Sequence, residues 1–154
     1  MCRGTVPWGN GKYPRNALRS ARYVFVSTVP GKKTRRVVGF LLALDSTFVS
    51  PLSRESVCRD DEMYLDVVCA SLGYGRGLIE SLFKAATKLG KTHIRLYSVA
   101  GAAKTWEQKY GFKQCDDPDD LYTCKEKIYE DDPDQGVRMT LRIAAYTDTK
   151  NRVP

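Results

Sequence analysis

An apolar run, a glycine-rich turn and a helical pattern follow one another between residues 63 and 90. Met63–Cys69 is a short apolar run, and Gly73–Gly77 (GYGRG) follows three residues later. From Leu78 the apolar residues recur at helical spacing, and Gly90 is well placed to end the helix. A helix that begins after glycines presents unpaired backbone N–H groups, and its dipole favours an anion there. The stretch predicts a turn that holds a pyrophosphate, although a tight turn can also require glycine for its geometry alone.

Strand-like and helical segments surround this stretch on both sides. Alternating or apolar runs with β-branched and aromatic residues predict strands, and a Pro-Gly turn joins the first two as an antiparallel hairpin. The predicted elements outside the central stretch are, in order, strands Arg22–Thr28, Arg36–Leu44 and His93–Val99, a short helix Ala102–Tyr110 that ends at Gly111, and strands Phe112–Cys115 and Val137–Ala144.

This order of elements predicts the fold class. A strand, a helix and a second strand of these lengths predict a parallel crossover. We therefore expect a mixed α/β (α+β) sheet, mostly antiparallel, with a central parallel βαβ unit. A chain of 154 residues predicts one domain over residues 1–154. Residues 1–20 have weak periodicity, 116–136 form a polar acidic segment with one helical turn near 122–129, and 146–154 read as a disordered tail.

Charge and cysteine content narrow the function classes. There are 25 Lys and Arg against 18 Asp and Glu, and the net charge of +7 suits a nucleic acid, an anionic lipid or a phosphorylated ligand. The basic residues are scattered rather than arrayed with stacking aromatics, which argues against a dedicated nucleic-acid-binding module. Five cysteines without a CxxC pair argue against a disulfide framework or a zinc site and predict a reducing, cytoplasmic location. No apolar run approaches the roughly 18 residues of a membrane span.

Acidic residues are more clustered than basic ones. Such clusters predict either a surface that attracts a cationic substrate or loops that are simply solvated. The three clusters are Asp60–Glu62, Asp116–Asp120 and Glu130–Asp134.

Three segments of the chain, Leu65–Cys69, Gly73–Ile79 and Trp106–Phe112, carry a family resemblance. In this order they resemble the fourth strand, the glycine motif and the aromatic helix with a Gly-Phe end of the GNAT superfamily of acyl-CoA-dependent N-acetyltransferases. Two positions depart from the family pattern: Ala70 replaces its Gln or Arg, and Glu107 stands where a Tyr is common.

The resemblance implies acetyl-CoA as cosubstrate, no metal, and a sheet whose fourth and fifth strands splay. The pantetheine arm would lie between these strands, along the backbone of Val67, Val68 and Cys69. The Arg76 side chain either adds a charge-assisted bond to the pyrophosphate or remains solvated. The main-chain N–H groups implied for the pyrophosphate are those of Leu72, Gly73, Tyr74, Gly75, Arg76 and Gly77.

The reaction implied is direct attack of a primary amine on the thioester in a ternary complex. Asp66 and Glu62 lie four residues apart on one strand, so their side chains face the same side and are the candidate bases. Burial would raise the pKa of Asp66 to a useful value, but this residue equally fits a pair with an Arg or a solvated strand edge.

Two tyrosines and one cysteine complete the candidate residues. Tyr110 lies one turn after Glu107 and is the candidate acid for the leaving thiolate, with simple packing as its other role. Tyr97 on the fifth strand is a further candidate. Cys69 and His93 lie at opposite ends of neighbouring parallel strands, so Cys69 is predicted to be a buried small residue rather than a nucleophile.

The acceptor is predicted only as a small-molecule amine, such as a polyamine, or a lysine side chain of a protein. Two alternatives remain open: an acyl-CoA-binding protein of the same fold without catalysis, suggested by Glu107, and a basic nucleic-acid-binding module.

Overall fold

The computed structural model describes residues 17–51, 54–99, 101–114 and 136–146. Residues 17–20 and 143–146 are helical. The predicted helical turn at 122–129 lies outside the described residues. The other elements are β1 (Tyr23–Val29), β2 (Arg36–Leu44), β3 (Glu62–Ala70), α1 (Gly75–Lys88), β4 (His93–Ser98), α2 (Ala103–Tyr110), β5 (Lys113–Gln114) and β6 (Val137–Arg142).

The strands form one six-stranded sheet in the order β1-β2-β3-β4-β6-β5. The β3 and β4 strands pair in parallel, and α1 connects them, whereas the other neighbouring strands pair antiparallel. The predicted fold class, a mixed and mostly antiparallel sheet around a parallel βαβ unit, is therefore confirmed. Within the described residues, none of the helices is both long and apolar enough to cross a membrane.

The core lies between α1 and one face of the sheet. The predicted apolar stripe of α1 is buried from Leu78 to Ala86, but its last member, Leu89, is 49% exposed. Leu89 is the C-cap residue of α1: its N–H still donates to the Ala85 carbonyl at 3.0 Å, and its side chain lies at the end of the stripe. Gly90 then adopts φ +71°, the left-handed conformation predicted for a residue that ends a helix.

The last strand is shorter than its pattern predicted. Alternation predicted a strand to Ala144, but β6 ends at Arg142 and residues 143–146 are helical. The Ile143 N–H group donates to the Thr92 carbonyl at 2.9 Å, which turns the chain toward the start of β4. Tyr146 then packs on Phe83 of α1, with ring centroids 4.3 Å apart.

The pairing of β3 with β4 stops halfway along β3. The last paired residues are Leu65 and Leu96, although β3 continues to Ala70 and β4 to Ser98. The two strands therefore splay, as predicted. On its other side β3 stays paired with β2 as far as Ala70, and a register shift there leaves Asp66 as an extra residue, a β-bulge. The second half of β3 thus has one paired edge and one edge that faces a gap.

Gly39 of β2 allows a close approach at the end of β3. A Cβ atom at this position would lie 2.9 Å from the Ala70 Cβ and 3.0 Å from the Leu78 Cδ1. Real Cβ atoms are essentially never that close to a neighbour, so any larger residue would displace β3 or α1. Gly39 therefore helps to fix the position of the turn that follows Ala70.

Candidate functional site

A cavity of about 540 Å³ opens where β3, α1 and α2 meet. The C-terminal end of β3 and the N-terminal turn of α1 form two of its walls, and one face of α2 forms the third. The residues that line it are Val68, Ala70, Ser71, Gly73, Gly75, Arg76, Ile79, Thr105, Trp106, Lys109 and Tyr110.

The N-terminus of α1 points its backbone N–H groups toward this cavity. Gly73 has φ +87°, a conformation that favours glycine, and the Tyr74 N–H donates to the Ser71 carbonyl at 3.1 Å. This tight turn leads into the helix at Gly75, and no side chain caps the helix at Tyr74. Uncapped N–H groups and the positive end of the helix dipole favour an anionic group at this position.

The backbone of β3 presents alternate residues to the gap. The Ser71 N–H donates to the Val38 carbonyl at 2.8 Å, in continuation of the β2–β3 pairing. Hydrogen-bonding direction alternates along an antiparallel pair, so the main-chain groups of Cys69 and Val67 also point toward β2. Those of Val68 and Ala70 point into the gap. Of the three residues predicted to pair with a pantetheine arm, the structure brings only Val68 to the cavity, and it adds Ala70.

Val67 and Cys69 place their side chains on the face of the sheet opposite α1. Val67 packs there with Leu42 and Ala17. Cys69 is buried and its sulfur is in a disulfide bond, so the prediction from the cysteine count is wrong for this residue. A count carries no information about which sulfur atoms lie within bonding distance in the fold. The expectation that Cys69 is buried is confirmed.

Of the predicted pyrophosphate ligands, the structure brings Gly73, Gly75 and Arg76 to the cavity wall. Leu72, Tyr74 and Gly77 do not line it, and the Leu72 side chain is fully exposed. The Arg76 Nε lies 3.1 Å from the Glu80 Oε1, and the Arg76 side chain is 72% exposed. An exposed ion pair one helical turn apart contributes only about 0.5 kcal/mol, so it does not prevent Arg76 from turning to an anion in the cavity.

Tyr110 lines the cavity beside an aromatic neighbour. Its ring centroid lies 5.4 Å from that of Trp106, which in turn contacts Phe112 in an edge-on arrangement. Burial raises the pKa of Tyr110, so its hydroxyl is protonated and able to donate at neutral pH. Glu107, which stands at the family's tyrosine position, does not line the cavity. Of these two residues, only Tyr110 brings a phenol to the cavity, where an acid for the leaving thiolate was predicted.

Glu62 is not brought to the cavity. It begins β3, eight residues before Ala70, which is about 26 Å along an extended strand. Its side chain is fully buried, its Oε2 accepts the Arg59 N–H at 2.9 Å, and the Arg95 guanidinium lies 3.7 Å away. Its Oε1 has no hydrogen-bond partner within the part of the chain that the structure describes. A carboxylate in this position orients Arg95 rather than meeting an incoming amine.

Asp66 lies where β3 and β4 separate. It is the bulge residue directly after the last paired position, Leu65. It does not line the cavity, because its side chain belongs to the opposite face of the sheet, together with that of Tyr64. Burial, and then the Asp66 charge, raise the pKa of Tyr64 to about 12, as expected for residues two positions apart on one strand. A substrate that enters the gap from that face would meet Asp66.

Apart from Tyr110, sequence analysis missed the residues that α2 contributes to the cavity. Thr105, Trp106 and Lys109 lie on its wall, and Lys109 adds a second cation opposite Arg76. The aromatic pattern of α2 predicted the helix but not which of its faces would meet α1. That face depends on how two helices pack on the same side of the sheet, which no local pattern records.

Comparison with known proteins identifies the fold. No protein-family model matches the chain, and no curated protein sequence matches it. Tetrahymena Gcn5 superposes with a TM-score of 0.55 at 15% identity, over 89% of this chain and 78% of Gcn5. An acetyltransferase from Bacillus subtilis in complex with CoA gives 0.53 at 18% identity, over 86% of this chain and 84% of that protein.

A third similar structure is Rv2747 from Mycobacterium tuberculosis, in complex with CoA and NLQ. Its TM-score is 0.53 at 13% identity, over 83% of this chain and 80% of that protein. At these identities the likeness establishes the fold, which is that of the GNAT acetyltransferases. The resemblance predicted from the sequence is thereby confirmed at the level of the fold.

Proposed function

We propose that this chain, whose fold is that of the GNAT acetyltransferases, transfers an acetyl group from acetyl-CoA to a primary amine. One observation carries the proposal. The open backbone edge of β3, the uncapped N-terminus of α1 and the cavity all meet at the end of the β3–β4 gap. An extended amide-containing arm with a pyrophosphate at one end matches this combination of groups.

The residues present fit acetyl-CoA. The Val68 carbonyl and the main-chain groups of Ala70 would pair with the amides of the pantetheine arm as a neighbouring strand does. The α1 N-terminus at Gly75 would hold the pyrophosphate. Arg76 and Lys109, on opposite walls of the cavity, would bind its remaining charge. Acetyl-CoA itself would supply an activated acyl group whose carbonyl oxygen gains negative charge as an amine attacks.

Three groups of the chain would serve the chemistry. Asp66, at the start of the gap, would take the proton that the attacking amine must lose. The Val68 N–H points into the gap and would stabilise the charge that develops on the carbonyl oxygen. Tyr110, protonated at neutral pH, would donate its proton to the departing thiolate and regain one from solvent.

A second candidate is an acyl-CoA-binding protein without catalysis. Glu107 favours it, since the residue at the family's tyrosine position carries no phenol and does not line the cavity. The two candidates differ in what Asp66 does. If the chain is an enzyme, Asp66→Asn lowers turnover strongly and leaves acetyl-CoA affinity unchanged. If it is a binding protein, there is no turnover to lower, and the substitution leaves acetyl-CoA affinity unchanged.

The test begins with calorimetric titration of acetyl-CoA, CoA and ATP. We expect acetyl-CoA and CoA to bind with a Kd in the micromolar range. ATP, which lacks the pantetheine arm, should bind much more weakly. A panel of amines is then assayed for release of free CoA thiol, with the unsubstituted chain and Asp66→Asn side by side. Absence of binding by acetyl-CoA would reject both candidates, and binding without turnover on any amine would leave only the second.

A further inference from the structure

The face of the sheet opposite α1 is polar where β3, β4 and β6 lie side by side. Tyr64 of β3 is opposite Arg95 of β4, and Tyr97 of β4 is opposite Arg138 of β6. Asp66 follows Tyr64 and the last β3–β4 pair, so it falls beside Tyr97 where the strands separate. The alternate residues of the same strands belong to the apolar core under α1. The polar face therefore borders the gap on the side away from the acetyl-CoA cavity.

Charged groups from all three strands converge at this border. Beyond burial, the pKa of the Tyr64 phenol is raised by Asp66 on its own strand and by Tyr97 on β4. It is lowered by Arg95 on β4 and by Arg138 on β6. Neighbouring strands lie about 4.8 Å apart, so Arg138 is within side-chain reach of the ring of Tyr97 and of the gap beyond it. Tyr97 is 54% exposed and Arg138 is also exposed, so an incoming molecule can contact both.

The two arginines of this border differ in their partners. Arg95 is mostly buried and lies 3.7 Å from the buried carboxylate of Glu62, which compensates its charge. The Arg138 side chain makes no hydrogen bond or ion pair within residues 17–51, 54–99, 101–114 and 136–146. Among the described residues, the exposed positive charge at the entrance to the gap is therefore that of Arg138, and it would repel a second ammonium group.

Of the three acidic clusters that suggested a cationic substrate, only Asp60–Glu62 lies within the described residues, and it lies away from the gap. Asp60–Glu62 is at the N-terminal end of β3, the end away from the gap. The Asp61 carboxylate accepts the Thr92 hydroxyl at 2.9 Å, and Glu62 is fully buried. These acids stabilise the β3–β4 entry and are not available to a substrate at the gap.

We propose that the acceptor is an amine that also carries a carboxylate, such as a free amino acid, with Arg138 binding the carboxylate while the amine reaches Asp66. This inference rests on the proposed acetyl transfer. Asp66 and Arg138 lie on strands two positions apart, which is about 10 Å between backbones where strands are paired and more where β3 leaves β4, and their side chains shorten the span. The ω-amine of an amino acid such as lysine or ornithine fits that span. A guanidinium binds a carboxylate through two parallel hydrogen bonds, which a diamine cannot form.

Matched pairs of acceptors isolate the carboxylate. Lysine and cadaverine, and likewise ornithine and putrescine, differ only by that group. We expect kcat/KM to be at least tenfold higher for each amino acid than for its diamine. In Arg138→Gln, KM for lysine should rise about tenfold to a hundredfold with little change in kcat, the effect of losing a charge-assisted pair. Cadaverine should be unaffected or improved.

Two further variants separate a binding role from a structural one. Arg138→Lys keeps the charge but not the two-bond geometry and should restore part of the preference for lysine. Arg142→Gln removes an exposed arginine from the same face of β6, farther from the gap, and should leave both KM values unchanged. A native preference for the diamines, or an equal effect of Arg138→Gln on lysine and cadaverine, would overturn the inference and leave acetyl transfer intact. If no amine were acetylated, acetyl transfer itself would fail, and this inference with it.

Discussion

Substitution of Gly75 by valine tests the anion site without disturbing the fold. Gly75 is the first residue of α1 and lines the cavity. A Cβ atom there would meet only the Ala70 Cβ, at 3.8 Å, which is an ordinary contact. Gly75 is not among the glycines with positive φ, so valine can adopt its backbone conformation. Glycine is also a poorer helix former than valine, so stability without ligand should change by no more than about 0.5 kcal/mol.

The expected loss of affinity follows from the groups that the side chain covers. A branched side chain at the helix N-terminus separates the phosphate oxygens from the backbone N–H groups behind it. Hydrogen bonds to a charged group contribute about 1.5–3 kcal/mol each, so the loss of two costs about 3–6 kcal/mol. That raises the Kd of acetyl-CoA by roughly two to four powers of ten.

Thermal shift converts this loss into a simple measurement. At a concentration of 100 Kd, ligand stabilises the unsubstituted chain by about 2.7 kcal/mol. For a chain of this size that is a rise in Tm of roughly 5–10 °C. With Kd a hundredfold higher, the same concentration gives about 0.4 kcal/mol, or roughly 1 °C.

Ser81→Val is the matched control for Gly75→Val. It adds the same side chain to an exposed position of α1 that does not line the cavity, and it should retain the full shift. A Gly75→Val variant that is equally stable without ligand and still shows the native shift would refute the anion site at this turn.

Three further perturbations address the fold and the chemistry. Gly39→Ala places a methyl group within 3.0 Å of β3 and α1 atoms, so it should lower the unfolding free energy by about 1–3 kcal/mol in urea titrations; an unchanged midpoint would contradict the close approach. Tyr110→Phe removes a hydroxyl whose pKa burial raises above 10, so we expect kcat to fall about a hundredfold at unchanged acetyl-CoA affinity; an unchanged kcat would exclude Tyr110 as the acid. Burial lowers the pKa of His93 below 6.5, so the unfolded chain binds the proton more readily and stability should fall as the pH drops below about 6.5, less so in His93→Asn; parallel pH profiles for the two proteins would reject this coupling.

The sequence pattern predicted β3, the glycine turn and α1 because each of these elements is specified by residues close together in the chain. The apolar run, the glycines and the helical stripe of α1 each report a backbone conformation directly. Leu89 shows where such reasoning ends. Its spacing fits the stripe and its N–H still donates a helical hydrogen bond to the Ala85 carbonyl, yet its side chain, at the very end of the helix, is half exposed. Which residue ends a helix depends on Gly90 and on the return to β4, and periodicity alone does not weigh these.

The candidate site was harder to predict because the alternation of β3 shifts by one residue at its bulge. After that point, different positions of the strand face the core. Met63 and Leu65 face the core under α1, but after the bulge it is Val68 and Ala70 that face it. The pattern does not record this change, because Val67 and Val68 are the same residue type. Sequence analysis therefore assigned neighbouring residues of β3 alike, whereas the fold gives their main chains opposite directions.

The same bulge explains how one strand could serve the two proposed substrates on opposite faces of the sheet. An extra residue at Asp66 lets the carboxylate remain on the face with Tyr64, while the following residues turn their main chain into the gap within one strand step. In a regular strand that continued to pair with β4, the backbone of Val68 would be hydrogen-bonded and closed to any ligand. Because the pairing ends at Leu65, the bulge places the Asp66 carboxylate, the proposed base, directly beside an open backbone edge. The arrangement that the proposed acetyl transfer requires therefore depends on the register of β3 more than on the identity of any single residue in the glycine turn.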